Sequence, residues 1–230
     1  MNDFFQDSVY AGVAISLITY VFGDFLKRKF KFGVFNPLVL SIIITIAFLK
    51  FTNVDYKTYS SGAKYLSYLL TPATVCLAIP LYEQLELLKK NWKAVFCGIT
   101  AGVLTSLITI FVLAKMCGLN HEEYVTFLPK SITTAIGMGV SQELGGNVNI
   151  TVAVIICTGV LGNMMGELIC KLFKIKEPIS KGLALGTSSH AIGTAKAIEM
   201  GEVEGAMSGL SIGVAGIMTV ILATGFALLG

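Results

Sequence analysis

The charges of this 230-residue chain are spaced so unevenly that eight long runs carry none: 8–23, 32–49, 65–82, 94–114, 131–142, 144–166, 182–195 and 205–230. A membrane-crossing helix needs about 20 mainly apolar residues to traverse roughly 30 Å of hydrocarbon. Only 13% of residues are charged and 54% are hydrophobic, whereas soluble domains carry about 25% charge. The stretches between runs are too short to bury cores of their own. The pattern predicts an all-α, polytopic membrane helix bundle of seven or eight hydrophobic segments, forming one integral membrane domain over 1–230. It excludes a separate catalytic domain. A net charge of +3 scattered over short loops also leaves no basic face for nucleic acid.

Positive charge clusters at Lys27, Arg28, Lys29 and Lys31, at Lys89, Lys90 and Lys93, and at Lys171, Lys174, Lys176 and Lys181. The positive-inside rule assigns all three clusters to the cytoplasm, which leaves loop 52–62 and segment 117–129 outside. Asp3 and Asp7 stand where a secretory signal would be positive, so the first run reads as a retained span. The chain must return inside by Lys171, and run 144–166 is long enough to cross. Run 131–142 must then enter and return, or pair with another crossing. As helices, runs 131–142 and 182–195 reach only about 18 and about 21 Å. If 182–195 crosses with its flanks the C-terminus lies inside, and if it is re-entrant the C-terminus lies outside. The five cysteines, Cys76, Cys97, Cys117, Cys157 and Cys170, have no Cys-x-x-Cys spacing and read as small buried apolar residues, with no disulfide framework or metal site.

Half of run 131–142 is Gly, Ser or Thr (Ser131, Thr133, Thr134, Gly137, Gly139, Ser141), and so is half of run 182–195 (Gly182, Gly186, Thr187, Ser188, Ser189, Gly193, Thr194). Small residues let helices approach closely. Packing does not account for the ionisable residues: Lys130 borders the first run, His190 lies within the second, and Lys196 and Glu199 follow it. Charge at membrane depth is costly and marks a polar cavity or pathway. In segment 69–82, Pro72 and Pro80 each lack an amide proton and crowd the carbonyl one turn back, predicting a third interrupted span. The strings Ala78-Ile79-Pro80, Ala135-Ile136-Gly137 and Ala191-Ile192-Gly193 recur at intervals of 57 and 56, followed by Glu83, Glu143 and Glu199. A second register, of 113, aligns Asn36, Ile42, Ile43 and Thr45 with Asn149, Ile155, Ile156 and Thr158. Opposed spans in matching positions suggest an inverted repeat, about 1–116 and 117–230; chance matching of apolar sequence is the alternative.

A helix that starts at depth offers unpaired amides and the positive end of a dipole, which suits a carboxylate. Thr71, Pro72, Thr74, Ser131, Thr133, Thr134, Ser188, Ser189 and Thr194 lie at or beside such starts and are candidate substrate-binding residues. Lys130 or His190 would neutralise a bound carboxylate. His190, Lys196 and Glu199 are candidates for coupling to a proton or ion. The unperturbed pKa of a histidine lies near working pH, and His190 reads equally as an imidazole hydrogen-bonded between helices. Catalysis is not expected: no metal-ligand spacing or nucleophile motif accompanies His121 or His190, and adjacent Ser189 and His190 do not face each other on a helix.

The strings Asn36-Pro37-Leu38, Leu70-Thr71-Pro72-Ala73-Thr74-Val75, Leu77-Ala78-Ile79-Pro80-Leu81-Tyr82, Leu128-Pro129-Lys130-Ser131-Ile132-Thr133-Thr134 and Gly186-Thr187-Ser188-Ser189-His190-Ala191-Ile192-Gly193-Thr194-Ala195 resemble those of the LrgB/CidB family. One departure is Ala135, where the family commonly has proline. The resemblance implies a multi-pass protein of the cytoplasmic membrane with no cofactor. It implies one of two activities. The first is carriage of small monocarboxylates such as pyruvate, glycolate or glycerate, coupled to a proton or Na+. The second is holin- or antiholin-like control of murein hydrolase activity and cell lysis, through homo-oligomeric assembly or beside a small LrgA/CidA-like membrane partner.

Overall fold

The structure, a computed structural model, describes residues 8, 10–30, 36–69, 72, 75–76 and 78–230; these contain helices and no strand. They form two compact units, which divide between Cys76 and Leu77. In the first, α1 (Ala11–Phe30), α2 (Pro37–Thr52) and α3 (Tyr56–Ala63) lead into a 3-10 turn (Lys64–Leu69). Pro37 is pre-set for a helix start and Asn36 caps it, its Oδ1 accepting from the amide of Leu38 at 2.9 Å. Buried hydroxyls join α1 to α2: Thr19 Oγ1 lies 2.9 Å from Ser41 Oγ and 3.1 Å from Thr45 Oγ1.

The second unit contains α4 (Ala78–Glu83), α5 (Leu85–Cys117), α6 (His121–Phe127), α7 (Thr134–Glu143), α8 (Val148–Leu172), α9 (Pro178–Met200) and α10 (Glu202–Ala227). Among the described residues three helices, α5, α8 and α10, are long and apolar enough to cross a membrane. They grow from runs 94–114, 144–166 and 205–230. Segment 65–82 yields the 3-10 turn and α4, and Thr71 and Thr74 lie outside the described residues. On α5 the buried residues Val95, Ile99, Val103, Leu107, Ile110 and Ala114 form a helical stripe. Ile108, Val112 and Leu113 on that helix are exposed, as are Ile217 and Ile221 on α10. Apolar side chains facing outward suit a helix solvated by lipid. Four of the cysteines, Cys76, Cys97, Cys117 and Cys157, are also exposed, and only Cys170 is buried. This corrects the expectation of buried thiols, since a small apolar side chain is equally at home facing hydrocarbon.

Two segments double back. Helix α9 loses helical geometry at Ser189 (φ −135°, ψ 15°) and His190 (φ 42°, ψ −141°), and its contacts show that the chain reverses there. Along α10, Gly182 meets Glu204 and Met207 and Gly186 meets Ser208 and Ser211, so the first limb runs parallel to α10. The returning limb runs the other way: Thr194 Oγ1 lies 2.7 Å from Ser208 Oγ, and Ile198 packs on Gly205. The neighbouring α8 reports the same reversal, with Leu185 on Gly166, Ser189 on Gly162 and His190 on Gly159, then Ile192 back on Gly159 and Lys196 on Glu167 (2.9 Å). Gly193 consequently lies against the Leu185 carbonyl, eight residues back, which a straight helix would hold about 12 Å away. The second reversal joins α6 to α7. Pro129 lies over Gly137, while Thr126 and Ser141 share Thr151, whose Oγ1 is 2.9 Å from the Thr126 carbonyl and 2.7 Å from Ser141 Oγ.

The hairpins enter from opposite ends. The base of α9 joins the lysine-rich end, where Leu183 packs on Gly98 and Lys181 reaches Glu204 at 3.6 Å. The α6–α7 hairpin starts at the far end, where Tyr124 stacks edge-on to Phe111 (centroids 6.1 Å apart) and its hydroxyl donates to the Phe226 carbonyl at 2.9 Å.

Candidate functional site

The tips of the hairpins approach the same middle stretches of α5 and α8. At the α6–α7 tip, Lys130 Nζ donates to Ser131 Oγ (2.8 Å) and Ser106 Oγ (3.3 Å), and the two hydroxyls lie 3.1 Å apart. Ser131 is buried and Lys130 half-buried. Among the described residues no carboxylate pairs with Lys130. Thr133 is the N-cap of α7 in extended conformation, but its side chain makes no cap bond. The first-turn amides beginning at Thr134 therefore have no helical acceptor. Ala135 follows in that turn, so the helix starts there without the proline the resemblance led one to look for.

At the α9 tip, His190 is 3% exposed, and its Nε2 donates to the Ile155 carbonyl at 3.0 Å. The imidazole is thus hydrogen-bonded between helices. Its positive φ is a conformation that costs a non-glycine residue about 1–3 kcal/mol unless the surroundings enforce it. They do: Thr194 Oγ1 donates to the His190 carbonyl (3.0 Å), Asn163 Nδ2 donates to the Ile192 carbonyl (2.7 Å), and any side chain at Gly159 would strike the ring. Ser189 is buried and Ser188 exposed, their hydroxyls 3.0 Å apart.

Ile155 links the tips, since its side chain lies under Gly137 of one hairpin and its carbonyl receives His190 of the other. Helix α5 links them again, because Thr187 packs on Gly102 and Ser106, which holds Lys130, is the next residue on that face, about 6 Å along. Lys130, Ser131, Thr133, Thr134, Ser188, Ser189, His190 and Thr194 therefore all belong to two facing tips. Pro72 lies in the first unit. Lys196 and Glu199 sit away from the tips at the lysine-rich end, where Lys196 pairs with Glu167 at 2.9 Å and with Glu199 at 3.3 Å.

The LrgB-like family model matches residues 16–229. The antiholin-like protein LrgB of Bacillus cereus (strain B4264) is 42% identical over 214 residues, covering 93% of each chain. The relative of the same name in Bacillus anthracis (strain A0248) gives the same figures. The chain belongs to the LrgB-like family. No solved structure matches it.

Several residues that build the site in this LrgB-like protein escaped the sequence reading: Ser106, Asn163, Ser208 and Gly162; Gly102 and Gly159 stand out there only through the strings Gly102-Val103-Leu104 and Gly159-Val160-Leu161, which recur at an interval of 57. They lie inside the long runs, where nothing distinguishes them from packing residues. The available signal was spacing, because Gly98, Gly102 and Ser106 recur every four residues, as do Ile155, Gly159 and Asn163. Such spacing places small or polar groups on one helix face.

Proposed function

We propose that this LrgB-family membrane protein carries small monocarboxylates of the pyruvate, glycolate or glycerate type across the cytoplasmic membrane. Carriage proceeds by alternating access around the two tips, with α6–α7 and α9 acting as re-entrant hairpins. The observation that supports this most directly is Lys130, an ammonium at the tip of one hairpin that meets two serine hydroxyls and no carboxylate among the described residues. A cation kept at membrane depth is expensive unless a counter-ion arrives, and a carboxylate of two or three carbons supplies one. The start of α7, four residues on from Lys130, adds amides and the positive end of a helix dipole. His190 is the residue suited to carry a coupled proton, because an imidazole can gain and lose one where the hydroxyl side chains of the two tips cannot; Na+ is the other coupling ion to test.

Purified protein in proteoliposomes is expected to take up labelled pyruvate or glycolate with saturation. Lys130→Ala is expected to lower uptake at least about 100-fold, as loss of a buried charge-assisted contact of about 3 kcal/mol implies, with an unchanged thermal unfolding profile. The second reading is regulation of murein hydrolase activity and lysis, by assembly with itself or with a small LrgA/CidA-like membrane protein. Its support is the antiholin-like name of the relatives. It predicts leakage of unrelated solutes without saturation and without sensitivity to Lys130→Ala. Co-reconstitution with such a partner separates a carrier of one chain from one that needs two.

A further inference from the structure

The lysine-rich end of the second unit holds a cavity of about 510 Å³, away from the tips. Its charged lining is Lys171, Lys174, Lys176, Lys181, Glu167 and Glu199, two more positive charges than negative. The acidic members are already engaged: Glu167 takes Lys171 at 2.8 Å and Lys196 at 2.9 Å, and Glu199 takes Lys196 at 3.3 Å. Lys181 reaches the buried Glu204 at 3.6 Å. Lys174 and Lys176 have no carboxylate partner among the described residues, and both are exposed.

We infer that this cavity binds a phosphate-bearing anion, presented either on a lipid headgroup or on a small soluble ester. Several ammonium groups around one hollow match the multiple oxygens and higher charge of a phosphate, which lysine recognises as a point charge. The volume falls in the range of small-ligand sites, about 300–1,000 Å³, and far exceeds what a three-carbon acid fills. Beside the lysines, the last turns of α8 expose Leu168 (67%) and Leu172 (74%), and its C-cap Phe173 is exposed as well (71%). That juxtaposition of basic cavity and outward apolar side chains fits a headgroup with its acyl chains alongside. Both limbs of α9 contribute to the wall, Lys181 on the first and Glu199 on the returning one. An occupant therefore braces the base of the hairpin.

The test uses the full chain in neutral detergent and reads binding, so it is independent of the carrier assignment. Retention of phosphatidylglycerol against phosphatidylcholine is measured by native mass spectrometry, and protection by inorganic phosphate or glycerol 3-phosphate by thermal unfolding. The anionic lipid, the soluble phosphates, or both should bind, and Lys174→Gln with Lys176→Gln should weaken that binding about tenfold or more. Lipid retention without protection by soluble phosphate assigns the site to headgroups; protection by the soluble ions alone assigns it to esters. Equal retention of both lipids together with no phosphate response overturns the inference. So does binding unchanged in the double variant, or weakened equally by Lys89→Gln with Lys90→Gln, which would mean diffuse charge rather than this cavity.

Discussion

His190 combines two costs, a left-handed backbone and a buried imidazole, and offsets both through neighbours from α8 and its own returning limb. The costs separate experimentally. His190→Gly and His190→Ala both lose the bond to Ile155, but only alanine must still hold φ at 42°. Glycine adopts that conformation freely, so the glycine variant should be the more stable by about 1–2 kcal/mol. Thermal unfolding of the two proteins in the same detergent measures the difference; equal stability would mean that the tip relaxes on losing its ring. Lys130 differs in kind, because its neighbours solvate the ammonium without neutralising it. Both residues were conspicuous in the sequence as ionisable groups in apolar surroundings. Their partners were not, since Ser106 looks like any hydroxyl on a spanning helix and the Ile155 carbonyl has no sequence signature at all.

At the scale of the element, each limb of α9 has 10 or 11 residues of regular helix and so extends about 15 Å, half a bilayer. The reversal makes a specific demand of cross-linking in a chain freed of its native cysteines. Thr194→Cys with Ser208→Cys should oxidise to a disulfide, and Lys181→Cys with Glu204→Cys should be bridged by a short bifunctional thiol reagent. A straight helix lying along α10 satisfies one pair and places the other far out of reach, so failure of either pair rejects the hairpin. This element was legible through its length, since 14 uncharged residues are too few to cross without their charged flanks. The spanning helices were legible for the converse reason: burial from lipid demands long uncharged runs, and α5, α8 and α10 obey. Ala-Ile-Gly, visible as a recurrence, starts the returning limb of both hairpins. The site of reversal was harder to foresee, because it rests on a histidine in a glycine-like conformation that only its packing against α8 stabilises. The segment around Pro72 lies partly outside the described residues.

For the molecule as a whole, the contacts of the second unit order its charges. Lys171, Lys181, Lys196 and Glu204 meet at one end, while Tyr124 and Phe226 meet at the other. Single cysteines at Ser180 and Glu199 should therefore react with an impermeant thiol reagent from the same side of the membrane, and one at Leu229 from the opposite side. If Ser180 and Glu199 label from opposite sides, α9 crosses instead of returning, and the opposed-tip arrangement fails with it.

The glycines under α9 set what movement its hairpin has available. Leu183 and Thr187 sit in the recesses of Gly98 and Gly102, one turn apart on α5, and Leu185, Ser189 and His190 sit over Gly166, Gly162 and Gly159 on α8. Between recesses stand full side chains that a sliding limb must clear, and a shift of one whole turn, about 5.4 Å, would carry Leu183 to Gly102 and Leu185 to Gly162 but drive Thr187 onto Ser106 and His190 onto Ile155. The track is notched rather than smooth, and it seats the limb in a single register.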